Sequence, residues 1–299
     1  MRTIYLGTSA FAAAVLDRLA ASPHRPALVV TRPDRPQGRG RRVAPPPVAE
    51  RARALGLEVI QPERLHDPEP LARIDAVDPE ALCVCAYGVL IREPLLSRTP
   101  INVHPSLLPR WRGAAPIERA IMAGDERTGV SIMHLTAGLD EGPVGLQAPE
   151  PIRPDDDFAT LAGRLQELGG ELLVRALDEQ PEYRPQPAEG VTYAAKIEAA
   201  DRLLDPARTA EELERVVRAL RPHIGARIAL PDGGFLGVIR ARVADADLRA
   251  GRVEAVEGRL LLGCADGALE LEEIRPPGGR AMAAADWLRG HPQAGFEAA

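Results

Sequence analysis

Residues 3–30 read TIYLGTSAFAAAVLDRLAASPHRPALVV, and this stretch decides the fold. Thr3–Leu6 is a short apolar run of strand type. Phe11, Val15, Leu16 and Leu19 then recur at helical spacing, and Ala27–Val30 is a second apolar run. Strand, helix and strand in immediate succession make the unit of a parallel sheet, since the helix returns the chain over the sheet face to begin the next strand in the same direction. The pattern continues outward. Pro47, Val48, Ala52 and Leu55 form a short amphipathic helix that ends at Gly56, a position suited to a helix C′ residue. Glu58–Ile60, Ala81–Tyr87 and Ile101–His104 read as further strands, and Ala114–Ala123 as a helix stopped by Gly124. Val130–Leu135 and Val144–Ile152 are predicted as later strands, antiparallel at one edge. A long helix is predicted from Phe158, with Leu161, Leu165, Leu168 and Leu172 on one stripe and Asp155–Asp157 at its positive N-terminal end. The fold class predicted for residues 1–180 is α/β, a Rossmann-like open parallel sheet with helices on both faces.

The composition then shifts. QPEYRPQPAEG (180–190) holds three prolines in eleven residues, so 181–205 is expected to be an extended linker. In 206–299, Thr209 and Glu212 form a capping box that opens a helix with Leu213, Val216, Val217 and Leu220 on its face. Strands are predicted at Arg227–Leu230, Phe235–Val243, Gly251–Val256, Arg259–Gly263 and Ala268–Ile274, with turns at Asp232-Gly233, Glu257-Gly258 and Asp266-Gly267. Short strands in that density suggest a small barrel of OB-like kind.

The chain has 299 residues, 37 basic and 43 acidic, for a net charge of −6. That balance disfavours a general affinity for nucleic acid, so the distribution of charge matters more than its sum. Lys196 is the sole lysine, so the abundance of arginine is in part a coding bias. Between residues 32 and 42, however, Arg32, Arg35, Arg39, Arg41 and Arg42 face a single acid, Asp34. Pro33, Pro36, Gly38 and Gly40 exclude a regular helix there and predict a projecting loop that orders on binding. Cys83 and Cys85 lie in an apolar run without further Cys or His ligands nearby; they read as reduced core cysteines, and no metal is expected. No apolar run of about 18 residues is present to span a membrane. The opening MRTIYLGTSAF lacks a signal-peptide pattern, which predicts a cytoplasmic protein. No long apolar helix stripe is left without a core to fill, so a monomer is expected.

The densest chemistry lies in INVHPSLLPRWRGAAPIERAI (101–121). Side chains two apart on a strand share a face, so Asn102 and His104 point the same way at the carboxyl end of a parallel strand. Open α/β sheets bind their ligands there. A histidine can take a proton near neutrality, and an asparagine amide can donate to an oxygen that becomes negative during acyl transfer. Asn-x-His at a strand end also serves as a turn or capping element, and strand geometry leaves that choice open. GLDEG (138–142) sets Asp140 in a sharp turn where its carboxylate could orient the imidazole. There is no G-x-S-x-G elbow, and Gly7-Thr8-Ser9 after the first strand lacks the G-x-G-x-x-G of a dinucleotide loop.

INVHPSLLPRWRGAAPI followed by GLDEG resembles the signature of the folate-dependent formyltransferases. The resemblance implies that Asn102, His104 and Asp140 are the catalytic set. It implies that Ser106, Leu107, Leu108 and Pro109 line the site for a 10-formyltetrahydrofolate co-substrate, and that AYGVLI (86–91) sets backbone groups of Tyr87, Gly88 and Leu90 against the pterin. TRPDRPQGRGRRVAPPPV (31–48) resembles an insertion of the members that act on methionyl-tRNA, as do RWRGAAPIERAI, GDERTGVSIM, VTYAAKI and RALRPHIGARIAL in chain order. By that resemblance the acceptor is initiator methionyl-tRNA, gripped by Arg35, Arg39, Arg41 and Arg42 with help from the C-terminal domain. The alternative is a small amino-sugar acceptor, or hydrolysis of formyltetrahydrofolate, within the same superfamily. The sequence departs from the family at Ser9 for proline, at Glu141 for threonine, and at Arg221-Pro222-His223-Ile224 for Asn-Pro-Trp-Pro. Glu141 would perturb Asp140 if both carboxylates faced one pocket.

Overall fold

The computed structural model describes residues 1–37 and 42–298. In chain order the first half contains β1 (Thr3–Gly7), α1 (Ala10–Ala20), β2 (Pro26–Val30), β3 (Arg35–Gln37), β4 (Arg42–Ala44), α2 (Pro47–Ala54), β5 (Val59–Ile60), α3 (Pro68–Val77), β6 (Ala81–Cys85), β7 (Ile101–His104), β8 (Arg112–Gly113), α4 (Pro116–Ala123), β9 (Arg127–His134), β10 (Val144–Pro151), α5 (Phe158–Glu179) and β11 (Tyr193–Ala194). The main sheet has the order β10-β9-β7-β6-β1-β2-β5. Five strands are parallel; β9 and β10 are the antiparallel edge that the sequence predicts. From β1 the chain builds outward through β2 and β5, then returns to add β6 and β7 on the other side. The switch point between β1 and β6 opens a crevice at the carboxyl ends of the strands.

The two sheet faces follow from the period of two along each strand. Ile4, Leu6, Leu28, Val30, Leu82 and Val84 pack with Ile74 of α3 in one apolar cluster. On the other face a Cβ added at Gly169 of α5 would lie 2.9 Å from Val103 Cγ1, so this glycine lets the helix lie directly on β7. Val103 therefore faces α5, which turns Asn102 and His104 to the opposite face. Gly56 takes φ +68 just beyond α2, as the sequence indicates, and Ser9 caps α1 by accepting the Ala12 N–H. The helix α3 is absent from the sequence reading; Pro68 and Pro70 fall in its first turn, where a missing N–H costs nothing. The arginine-rich insertion, predicted as an irregular loop, is a two-stranded ribbon of β3 and β4 on either side of residues 38–41.

Contacts between Cα atoms group 1–116, 127–151 and 162–194 into one unit; 117–126, 152–161 and the chain from Ala195 onward form a second. The stretch 181–194 turns at 188–190 and pairs within the first unit on either side of that turn, at Arg184 and at β11. The second unit contains α6 (Ala210–Leu220), β12 (Ala226–Ala229), β13 (Phe235–Ala244), β14 (Arg252–Val256), β15 (Arg259–Cys264), β16 (Gly267–Arg275), β17 (Met282–Ala283), α7 (Ala284–Gly290) and β18 (Gly295–Glu297). Its sheet is antiparallel throughout, in the order β12-β13-β16-β15-β14-β18, with β17 beside β16. The capping box of Thr209 and Glu212 is formed, and Leu213, Val216, Val217 and Leu220 of α6 fill the core against the curled sheet. Glu257 and Gly258 both take positive φ, the conformation of a tight hairpin turn. His223, where the family's tryptophan is absent, stacks on Phe158 at 3.7 Å and places Nε2 3.0 Å from Glu118.

An ion pair within this unit gives a pH dependence. Arg119 donates to both oxygens of Asp201 at 2.9 Å. Those bonds, against the opposing effect of burial, hold the Asp201 carboxyl below its ordinary range. Its stabilising contribution is complete above the unfolded value of about 4 and is lost as pH falls through the lower folded value. Thermal unfolding of an Arg119→Ala variant should accordingly lose less Tm between pH 5 and pH 2 than the parent. Parallel profiles would show that the pair contributes nothing.

Candidate active site

The site is built at the ends of β1, β6 and β7. Asn102, His104 and Ser106 are buried. Among the described residues the Asn102 side-chain amide makes no hydrogen bond, so it is available to a ligand. His104 is held from two sides. Its Nε2 lies 2.9 Å from the Trp111 carbonyl oxygen, and its Nδ1 lies 3.6 Å from Asp140 Oδ2. A carbonyl only accepts, so Nε2 carries a proton and Nδ1 is the basic nitrogen. Proton uptake at Nδ1 creates an imidazolium facing the Asp140 carboxylate, an arrangement suited to a general base.

Both neighbours of His104 stand in left-handed backbone, Trp111 at φ 62 and Asp140 at φ 50. For tryptophan this conformation is rare, and for aspartate tolerated. Asp140 Oδ2 accepts the Gly113 N–H at 2.9 Å. A Cβ at Gly142 would collide with the His134 carbonyl, so this position in GLDEG admits only glycine at the observed close approach. Glu141 is exposed, and its side chain folds back over Gly138.

The loop after β7 is fixed by two polar side chains that the sequence reading did not single out. Ser131 on β9 sits opposite His104 in the register. Its hydroxyl donates to the Ser106 carbonyl at 2.6 Å and accepts the Leu108 N–H at 3.0 Å. Gln147 on β10 donates to the Leu108 carbonyl and to Ser131 Oγ, both at 2.8 Å. The Ser106 hydroxyl donates to the Arg110 carbonyl. Leu107 and Pro109 are half-buried and Leu108 is buried. A fully buried serine in the apolar strand RTGVSIMH was the available signal for this support, because buried polar groups must be bonded.

Across the crevice, Thr8 Oγ1 donates to the Tyr87 carbonyl at 2.7 Å. The Tyr87 side chain turns into the core, and burial pushes its phenol up to about 12 against the pull of Arg32, so it stays neutral. Gly88 takes φ +75, and Leu90 is 62% exposed. Among the described residues the N–H groups of Gly88, Val89 and Leu90 take no backbone partner. Free peptide edges beside an exposed apolar side chain fit a flat heterocycle with a polar rim. Arg32 lies next to this loop, its nearest terminal nitrogen 3.8 Å from a Cβ placed at Gly88.

In the ribbon, Arg35 pairs in register with Ala44 and Gln37 with Arg42, which sets Arg35 and Arg42 on one face. Arg35 is ion-paired with Glu63 at 2.6 Å. Arg39 and Arg41 lie outside the described residues. Among the described residues no group of His, Cys, Asp and Glu could hold a metal ion, and no helix is long and apolar enough to cross a membrane.

Fold and sequence together match a class of group-transfer enzymes. Residues 1–177 match the family described as formyl transferase, and residues 196–292 match the formyl transferase C-terminal domain. Relatives named methionyl-tRNA formyltransferase are 44% identical in Dechloromonas aromatica, 46% in Halorhodospira halophila and 43% in Thermus thermophilus. They align over 98%, 97% and 97% of this chain and 97%, 96% and 96% of their own. The chain belongs to the methionyl-tRNA formyltransferase family. Among solved structures, HypX from Aquifex aeolicus in complex with tetrahydrofolic acid superposes with a TM-score of 0.63 at 18% identity. That match covers 96% of this chain and 47% of HypX, so the chain spans about half the length of that protein. An N-formyltransferase from Helicobacter canadensis, in complex with folinic acid and dTDP-3-aminofucose, gives 0.64 at 14% identity, covering 91% of this chain and 98% of its own. At those identities the likeness is one of fold.

Proposed function

We propose that this protein transfers a formyl group from 10-formyltetrahydrofolate to the α-amino group of methionine carried on initiator tRNA, acting as a monomer in the cytoplasm. The observation that carries the chemistry is His104, held between a carbonyl and a carboxylate beside the free Asn102 amide. The acceptor is supported by relatives of that name aligned over nearly the whole chain. The folate, when bound against residues 87–90 and 106–109, supplies an activated formyl carbon. The neutral methionine amine attacks that carbon, and His104 takes the amine's proton at Nδ1. Asn102 donates to the formyl oxygen as negative charge gathers on it. Asp140 stabilises the imidazolium so formed; the bond from the formyl carbon to N10 of the folate then breaks, and tetrahydrofolate leaves with the proton that His104 returns to N10. Since only the neutral amine attacks, turnover falls as acid protonates it.

The deciding assay follows labelled formyl from 10-formyltetrahydrofolate to charged initiator tRNA, with uncharged tRNA, free methionine and a nucleotide-linked amino sugar in parallel. Label on charged tRNA alone is the expected result. Release as formate without acceptor, or transfer to the sugar, would replace this reading with the hydrolase or the amino-sugar enzyme.

The arginine ribbon is the second part of the reading. Guanidiniums of Arg35, Arg39, Arg41 and Arg42 suit the phosphates of an acceptor stem, with Arg35 exchanging Glu63 for phosphate. Replacing all four with alanine should raise the tRNA KM with little change in kcat. It should also flatten the dependence of log KM on log salt by about 3. An unchanged salt slope would remove the ribbon from the tRNA site.

A further inference from the structure

The segment 184–194 has no part in the chemistry just described, yet it ties down both groups that touch His104. Thr192 Oγ1 accepts the Trp111 N–H at 2.9 Å, and the Thr192 carbonyl accepts the Arg112 N–H at 2.9 Å. β11, which begins at the next residue, pairs with β8. Gln186 Nε2 donates to the Asp140 carbonyl and to the Gly142 carbonyl, each at 2.8 Å. Gln186 Oε1 accepts from Nε and a terminal nitrogen of the buried Arg112, at 3.0 and 2.8 Å. Further back, Arg184 and Val144 exchange backbone hydrogen bonds, and Tyr183 stacks on His134 at 3.5 Å. The strap is thus anchored at each end, with Gln186 and Thr192 between the anchors.

Left-handed backbone at a non-glycine residue persists only where its surroundings hold it. Trp111 and Asp140 are two such residues, and each is held by one side chain of the strap. We infer that Thr192 and Gln186 are positioning residues for the transfer reaction. Thr192 keeps the Trp111 carbonyl on Nε2 of His104, and so fixes which nitrogen is basic. Gln186 keeps the Asp140 carboxylate facing the other nitrogen. This inference rests on the assignment of His104 as the base and Asp140 as its partner.

The test compares near-isosteric pairs. Thr192→Val removes only the hydroxyl acceptor, and Thr192→Ser restores it. Gln186→Glu keeps an acceptor for Arg112 but removes the two N–H donors to the Asp140 loop. Initial rates with charged tRNA and 10-formyltetrahydrofolate should show kcat lowered about 10- to 100-fold in Thr192→Val and Gln186→Glu. Both KM values should stay within about twofold of the parent. Thr192→Ser should recover most of kcat, and all variants should keep a cooperative melting transition above the assay temperature. Parental kcat in Thr192→Val and Gln186→Glu, in a protein that Asp140→Ala inactivates, would overturn the inference. So would a loss of kcat that Thr192→Ser shares, or one that accompanies unfolding at the assay temperature. Failure of the parent to formylate charged tRNA would instead overturn the functional reading on which the inference rests.

Discussion

Asp140→Asn is expected to lower kcat by about 10⁴-fold, the scale on which the loss of an orienting carboxylate acts in a serine-protease triad. The substitution is nearly isosteric. The amide oxygen can still accept the Gly113 N–H that Asp140 Oδ2 accepts at 2.9 Å, so the loop keeps its place. The negative charge 3.6 Å from His104 Nδ1 is what disappears. A neutral amide does not stabilise the imidazolium, and turned the other way it donates to the very nitrogen that must take the proton. The KM for tRNA should hardly move, because the contact matters only as charge forms. Single-turnover rates with enzyme in excess over charged tRNA would measure this, and an Asp140→Asn variant as fast as the parent would remove Asp140 from the reaction.

Asn102→Ala should cost about 10²- to 10³-fold in kcat, the usual cost of losing one preorganised donor to an oxyanion. Among the described residues its amide makes no hydrogen bond, so the loss leaves no protein group newly unpaired. Stability should therefore change little, which separates this variant from an ordinary core truncation. A drop in Tm that matched the drop in rate would make Asn102 a structural residue.

The fold was legible where period and punctuation agree. TIYLG and ALCVC are continuous apolar runs because parallel strands are buried on both faces. The strands of the second unit were placed by their D-G and E-G turns. The helix α3 and the ribbon escape a reading from sequence because proline signals a breaker even where a first turn or an edge strand tolerates it. Within the site, Asn102 and His104 were accessible to strand geometry, whereas Asp140 came from the resemblance. The Trp111 carbonyl could not be read from sequence at all. It is a backbone atom, displayed by a conformation that the propensity of tryptophan opposes. Gln186 lies far along the chain from Asp140 in a proline-rich run that announces only extended structure. The placement of Glu141, the second carboxylate of GLDEG, over Gly138 is set by the turn and is not legible in the residue order.

The way the chain threads its two units bears on how such a protein can be divided. The second unit takes its members from three separate stretches, with 117–126 and 152–161 contributed from inside the first half. Met122 of the earlier stretch packs against the core of α6 and the curled sheet, and Phe158 of the later one stacks on His223. Cleavage anywhere in 181–205 would detach the barrel strands but leave those two stretches behind, their apolar sides open to water. No single cut, whether by a protease or at a gene-fusion junction, yields two self-sufficient pieces. A lineage exchanging its C-terminal barrel for another would have to rewrite α4 and the approach to α5 at the same time.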